Sequence, residues 1–136
     1  MTGAGCTVSP KEQGDRERKA ASVQVFKLHM TKDLWTRTNS GGSPKKNLDK
    51  PKSLTEDPSG MVTIELTGPQ MVDYLQILDY NAHGGASARD EPLAATVYDA
   101  VTPVVDQIRT PPVPGAPAPE VTIHAAVAPT TSAPPK

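Results

Sequence analysis

One dense, periodic apolar segment, residues 61–109, constrains the fold of this chain more than any other feature. A polar, Lys-rich stretch precedes the segment, and a tail in which eight of 27 residues are proline follows it. A chain of 136 residues has room for one domain at most. The sequence therefore predicts one small folded region with an arm on each side.

Charge changes at the same boundary. Residues 1–60 carry eleven Lys and Arg against seven Asp and Glu, residues 61–109 carry two against seven, and residues 110–136 carry one of each. The net charge of −1 therefore combines a basic arm with an acidic core. This asymmetry argues against the core itself lying on nucleic acid or on an anionic membrane.

The apolar segment begins with a strand pattern and continues as a helix. Val62, Ile64 and Leu66 alternate with polar residues, as in a half-buried strand. Thr67 and Gln70 have the spacing of a capping box, which predicts that a helix starts immediately after the strand. The glycines that follow residue 83 predict the end of this helix.

A second helix is predicted from residues 87–91 onward, with a kink near Thr102 because Pro103 interrupts it. Both helices carry an apolar stripe at helical spacing. A strand and two helices bury little surface, whereas ordering the backbone costs about 1–2 kcal/mol per residue. We therefore expect the stripes to cover each other and also to bind a second copy or a larger protein. The stripe residues predicted to contact this partner are Met71, Leu75, Leu78, Leu93, Val97, Tyr98, Val101, Val105 and Ile108.

The arms have too few apolar residues to predict a core of their own. Residues 1–60 are expected to be a disordered basic arm, with a possible short strand at 22–30. Residues 110–136 are expected to be a disordered Pro-rich tail, with extended polyproline between 111 and 119. A second short alternation, at 120–127, would add a strand beside 61–66. The fold class predicted is a small, mostly α protein: a short strand plus a two-helix hairpin, flanked by disordered arms.

No residue pattern points to catalysis, a cofactor or a metal. His29, His83 and His124 have no second ligand at metal spacing, and His83 is interpreted as a cation at a helix end. Cys6 is the only cysteine, which excludes a disulfide within one chain. The chain has neither a secretory h-region nor a run of roughly 20 apolar residues, so we expect it to be soluble and cytoplasmic.

Nucleic-acid binding by the N-terminal arm is the alternative function. Its cations would follow a phosphate backbone while two aromatic rings stack on bases. The interleaved acids favour a solvated arm instead, and the acidic second helix argues against a helix-turn-helix. The residues of this alternative are Lys11, Arg16, Arg18, Lys19, Lys45, Lys46, Lys50 and Lys52, with Phe26 and Trp35 as the rings.

The sequence is most consistent with a small non-enzymatic interaction or accessory protein that acts through its helical hairpin. Such an outline is common to short proteins of many roles, phage and mobile-element products among them, and it assigns no residue a function. Because Met61 stands at the boundary in composition and charge, a further hypothesis is that translation starts there. Residues 1–60 would then be an upstream extension without a structural role.

Overall fold

The computed structural model describes residues 10–41, 46–48, 50–83, 91–109, 115 and 117–123. Helices and strands are mixed along this part of the chain. In chain order they are α1 (Gln13–Ala21), β1 (Val25–Thr31), α2 (Lys32–Thr38), β2 (Ser40–Gly41), β3 (Lys46–Asn47), β4 (Ser53–Glu56), β5 (Met61–Thr67), α3 (Gly68–Ala82), α4 (Glu91–Asp106) and β6 (Glu120–Thr122).

Four of the described strands form one mixed sheet in the order β4-β5-β1-β6. β5 is antiparallel to both of its neighbours, with Leu28 opposite Ile64 on the β1 side, and β6 runs parallel to β1. β1 and β4 therefore run parallel to each other, with β5 inserted between them. The chain passes from β1 to β4 through a connection that includes α2, as in a split β-α-β unit. β2 and β3 form a separate antiparallel pair.

The core lies between this sheet and the helices, which cover one face of it. In β1 and β5 every second residue is buried, as the strand period of two requires. α3 supplies the largest fully buried side chain, Tyr74, whose ring lies 5.3 Å from that of Trp35 in α2. The buried strand residues are Phe26, Leu28, Met30, Val62, Ile64, Leu66 and Val121.

The predicted fold class, a mostly α hairpin with disordered arms, is wrong. The described residues before Met61 form two helices and four strands, among them the inner strand β1, and Phe26, Leu28 and Leu34 are completely buried. The prediction treated the arm in isolation, where its apolar residues are too few to offset the ordering entropy. A strand needs only alternate apolar residues when a neighbouring strand and a helical layer already exist, and β5 and α3 provide both.

The hypothesis that residues 1–60 have no structural role is wrong for the same reason. β1 lies between β5 and β6, so a chain that began at Met61 would lack the strand that joins them. Removing β1 would also leave one edge of β5 without its hydrogen-bonding partner.

The strand and the capped helix predicted at the start of the apolar segment are confirmed. β5 spans Met61–Thr67, and α3 begins directly after it. Gln70 N–H donates to Thr67 Oγ1 at 3.2 Å, and Thr67 N–H donates to Gln70 Oε1 at 3.0 Å, which completes the capping box. The side chain of Gln70 also accepts from Lys52 N–H at 3.1 Å and donates to Lys50 O at 3.1 Å, so this cap fixes the chain leading into β4.

A close approach between α1 and α3 requires glycine at position 68. A Cβ on Gly68 would lie 2.3 Å from Val23 O, 2.8 Å from Ala20 O and 2.9 Å from Ala21 O. These are backbone atoms at the end of α1 and just after it, so they cannot rotate away as a side chain would. The missing side chain lets α3 start directly against the end of α1.

The second predicted helix is α4, which continues through Pro103 to Asp106 as one helix. The kink expected near Thr102 stays a prediction. β6 covers only the start of the alternation at 120–127, and it pairs with β1 instead of the expected 61–66. Lys27 N–H donates to Pro119 O at 2.9 Å on one side of this pairing.

Several predictions fall on residues outside the described part of the chain. They concern Cys6, Lys45, His124, the glycines at 84–85, the start of the second helix at 87–90 and most of the tail from 110 onward. Among the helices that are described, none has the length and apolar character needed to cross a lipid bilayer.

Candidate functional site: the open face of the sheet

The side of the sheet opposite the helices is polar. Strand alternation and the pairing register place every second residue of the four strands on this side. In β1 and β5 these residues are half-buried, whereas those of β4 and β6 are exposed. We call this surface the open face; its residues are Val25, Lys27, His29, Thr31, Ser53, Thr55, Met61, Thr63, Glu65, Thr67, Glu120 and Thr122.

One row across the open face alternates in charge. Glu65 and Glu120 are the register partners of Lys27 on its two sides, and Ser53 lies beyond Glu65. Opposite charges directly across neighbouring strands stabilise a sheet by about 0.2–1 kcal/mol. The row therefore supports the strand order, and it presents charges of both signs on this side of the sheet.

The next row centres on His29. Its Nδ1 lies 3.0 Å from Thr63 Oγ1 on β5, and its Nε2 lies 3.7 Å from Glu120 Oε1 on β6. When Nε2 carries the proton facing the carboxylate, Nδ1 accepts a hydrogen bond from the threonine hydroxyl. The imidazole thus links three strands, and its 28% side-chain exposure leaves it accessible to a polar ligand group.

The outer helical layer contains a second polar group of residues. Arg16 of α1 binds Asp106 at the end of α4 through two parallel hydrogen bonds, 2.8 Å from Nε and 3.0 Å from Nη2. Lys19 Nζ donates to the Asp106 carbonyl at 2.9 Å. The hydrogen bond from Arg16 lowers the pKa of Asp106, and the same bond raises the pKa of Arg16. These contacts fasten α1 onto α4.

His83, at the end of α3, contacts the Tyr98 ring, which Arg16 also contacts. Its Nδ1 is 2.5 Å from Asp79 Oδ1, one helical turn earlier, and its ring meets the Tyr98 ring edge-on at a centroid distance of 5.2 Å. The Tyr98 hydroxyl donates to Gln13 Oε1 in α1. The predicted role of His83 as a helix-end residue agrees with its position, although its partner is a carboxylate of the same helix.

The resolved pKa shifts at titratable side chains all move away from neutral pH. Burial raises the pKa values of Tyr74 and Tyr98, so both phenols stay protonated. A serine hydroxyl in the same turn lowers the pKa of Asp57, and that of Asp106 is lowered as described above, so both carboxylates stay ionised. General acid–base chemistry needs the opposite, a pKa brought toward the working pH.

The residues predicted to contact a partner lie in the core of the chain itself. Met71, Leu75, Leu78, Val97, Tyr98, Val101 and Val105 are buried, and Leu93 and Ile108 pack against this core while remaining partly exposed. Their stripes were expected to leave apolar surface for a second protein. That surface is covered instead by α1 and by the sheet, and both α1 and the inner strand β1 come from the expected disordered arm.

The residues of the nucleic-acid alternative are distributed differently from the prediction. Trp35, 3% exposed, and Phe26, fully buried, belong to the core, so neither ring is available to stack on a base. Arg16 binds Asp106, and Arg18 and Lys19 lie 3.2 and 3.5 Å from the carboxylate of Asp15. Lys11, Lys50 and Lys52 are exposed, Lys46 lies in β3, and Lys45 lies outside the described residues.

The open face was not predicted as a site, although its signal is present in the sequence. Thr63 and Glu65 alternate with the buried residues of β5, and Lys27 and His29 do the same in β1. The polar half of an alternating strand faces away from the core as regularly as the apolar half faces it. The sequence pattern did not indicate which strands lie side by side, because that depends on long-range pairing.

The described elements define a two-layer α/β protein with a mixed four-stranded sheet, helices on one face and a polar surface on the other. No protein-family model, no curated protein and no solved structure matches this chain. Within the described residues, no three His, Cys, Asp or Glu side chains come together as a metal site.

Proposed function

We propose that this protein is a non-enzymatic interaction or accessory protein and that its contact surface is the open face. The observation that supports this most directly is the contrast between the two sides of the sheet. One side is used for the core, whereas the other presents hydroxyl, imidazole, ammonium and carboxylate groups from four adjacent strands.

The composition of the open face suits a partner that binds reversibly. Non-obligate protein interfaces are about as polar as the rest of a protein surface, and charged pairs there set specificity and association rate. The row of Glu65, Lys27 and Glu120 would select a partner by alternating charge. Short threonine side chains beside it keep the surface flat enough for close approach.

Nucleic-acid binding has less support than protein binding. Both rings predicted to stack are in the core, and the cations of α1 lie beside Asp15 and Asp106. The open face itself alternates acids with bases, so a phosphate backbone would meet repulsion as well as attraction. An interaction protein is therefore the function proposed here.

The proposal is tested by capture with matched variants of the whole chain. Three forms of the chain are immobilised and exposed to an extract of cells that naturally contain the protein. They are wild type, the double variant Lys27→Ala/Glu65→Ala and the control Asp15→Ala/Arg18→Ala. Each variant removes one cation and one anion that face each other, so net charge is unchanged. The control pair lies on the exposed side of α1, 3.2 Å apart.

We expect proteins retained by wild type to remain bound to the control and to be depleted about tenfold by the open-face variant. Quantitative mass spectrometry of the three eluates measures this ratio. Equal retention by all three baits would show that the open face is not the contact surface. Thermal unfolding of each bait, measured beforehand, separates lost binding from lost folding.

A further inference from the structure

β4 lies at the edge of the described sheet and is exposed along its whole length. All four of its residues are solvent-exposed, and Leu54, at 40% exposure, is the one large exposed hydrophobic side chain among the described residues. Edge strands present backbone groups that readily accept another strand. The amino acids on this edge indicate which strand would fit.

The backbone of β4 offers hydrogen-bonding groups to the outside of the sheet. Asp57 N–H donates to Met61 O at 2.9 Å, so the backbone N–H of Asp57 points toward β5. Because this direction alternates along an antiparallel strand, the N–H and C=O groups of Leu54 and Glu56 point away from β5. A strand placed beside β4 would bond to these two residues and to the Lys52 carbonyl, whereas Lys52 N–H already donates to Gln70 Oε1 at 3.1 Å.

We propose that β4 pairs with β4 of a second copy of this chain, antiparallel and with Leu54 on the two-fold axis. The axis is then perpendicular to the sheet, and residues opposite each other must share a face. Leu54 lies opposite its own copy, Lys52 lies opposite Glu56, and Ser53 lies opposite Thr55. Each charged residue meets its opposite, and the apolar residue meets itself.

Charge complementarity selects this register over its neighbours. Shifting the pairing by two residues in either direction puts Leu54 opposite Lys52 or Glu56, and a shift by four puts one of these charges opposite itself. Odd shifts put residues of different faces together. Glu56 already lies 3.5 Å from Lys32, so Lys52 of the second copy would complete a three-member ion-pair group.

Prolines on both sides limit the pairing to one short ladder. Pro51 and Pro58 bracket β4, and proline supplies no N–H to a sheet. The pairing also uses the same edge of both copies, so it closes as a dimer and does not continue into a fibre. A strand of four residues buries little area, and we therefore expect a weak, concentration-dependent dimer.

Pairing about this axis would place both open faces on the same side of one eight-stranded sheet. This consequence rests on the proposed function, since it doubles the surface offered to a partner. The dimer itself rests only on β4. The two ideas can therefore fail separately.

Sedimentation equilibrium of the whole chain tests the dimer. We expect the mass to rise from 14.4 kDa toward twice that value as concentration increases. Leu54→Lys places two like charges on the axis, and Lys52→Glu and Glu56→Lys each create like pairs, so each should weaken dimerisation roughly tenfold. Combining Lys52→Glu with Glu56→Lys should restore it, whereas Lys11→Glu, far from β4 in sequence, should leave it unchanged.

A cysteine test fixes the register. In a Cys6→Ser background, Leu54→Cys should form an intermolecular disulfide under mild oxidation, because hydrogen-bonded antiparallel partners have Cα atoms about 5.5 Å apart. Ser53→Cys should not, since it faces Thr55 of the second copy. A single 14.4-kDa species up to roughly 1 mM, or a dimer that Leu54→Lys does not weaken, would overturn the proposal. Retention of bound proteins by the Leu54→Lys variant would leave the open-face function standing.

Discussion

The two faces of the sheet differ although they are built from alternating residues of the same strands. In β1, Phe26 and Leu28 are completely buried under the helices, whereas Lys27 and His29 between them face the other side. The covered face gains free energy by removing apolar surface from water, and the open face gains little. Substitutions at neighbouring residues should therefore differ in their effect on stability, and the proposed binding by the open face can be tested separately from folding.

The largest effect is expected at Phe26 on the covered face. Phe26→Ala removes a fully buried ring from the central strand and leaves a cavity, so the free energy of unfolding should fall by about 3–5 kcal/mol. Urea unfolding followed by the fluorescence of Trp35, the single tryptophan, measures the loss. A loss below about 1 kcal/mol would mean that β1 does not belong to the core.

A smaller loss in the free energy of unfolding is expected at Gly68, where α3 begins against the end of α1. Gly68→Ala forces a Cβ to within 2.3 Å of Val23 O, so we expect a loss of about 1–3 kcal/mol in the free energy of unfolding. Gly14→Ala is the matched control, because its Cβ meets nothing nearer than Arg18 Nη1 at 3.9 Å. Because glycine is unfavourable inside a helix, Gly14→Ala should stabilise the protein by about 0.5–1 kcal/mol. Equal effects at both positions would contradict the close approach.

Local patterns in the sequence were sufficient for β5 and the start of α3. The capping box joins Thr67 and Gln70, which are three residues apart, and β5 alternates within seven residues. The rest of the sheet depends on distant partners. Leu28 pairs with Ile64 on one side and with Val121 on the other, and no local pattern specifies either neighbour. The fold class was wrong for this physical reason.

The candidate site shows the same limit. Once β5 is recognised, Thr63 must face away from the core, and this follows from alternation alone. His29 becomes part of the same surface only because β1 lies beside β5, which brings its Nδ1 to 3.0 Å from Thr63 Oγ1. The types of residue on the open face were therefore predictable, whereas their arrangement into rows was not.

A pH-dependent effect is expected on the helical side. The pKa of Asp106 is lower in the folded protein than the value of about 3.9 for an unfolded chain, because Arg16 hydrogen-bonds to it. Its contribution is therefore fully present above the unfolded pKa and is lost as pH falls through the folded pKa. With a side-chain exposure of 42%, it should amount to about 0.2–1 kcal/mol.

Asp106→Asn tests this assignment. Urea midpoints of the variant should lie below those of wild type at pH 7, and the difference should shrink as pH falls below about 4. An unchanged difference down to the acid limit would show that the charge of Asp106 is not the cause. Asp99→Asn, at an exposed position of α4, is the control and should show no such convergence.

A similarly small change in stability is expected on the open face, at Lys27. Lys27→Ala leaves Glu65 and Glu120 on strands two positions apart, which places them about 10 Å from each other at a strand spacing of 4.7–4.9 Å. At physiological ionic strength this distance exceeds the Debye length of about 8 Å, so the repulsion between them is screened. Lys27→Ala also removes the attraction to both glutamates, so the free energy of unfolding should fall by about 1 kcal/mol or less, measured by the same urea titration. A loss comparable with that of Phe26→Ala would mean that both faces stabilise the fold, and the open face would then not be a surface free to evolve for binding.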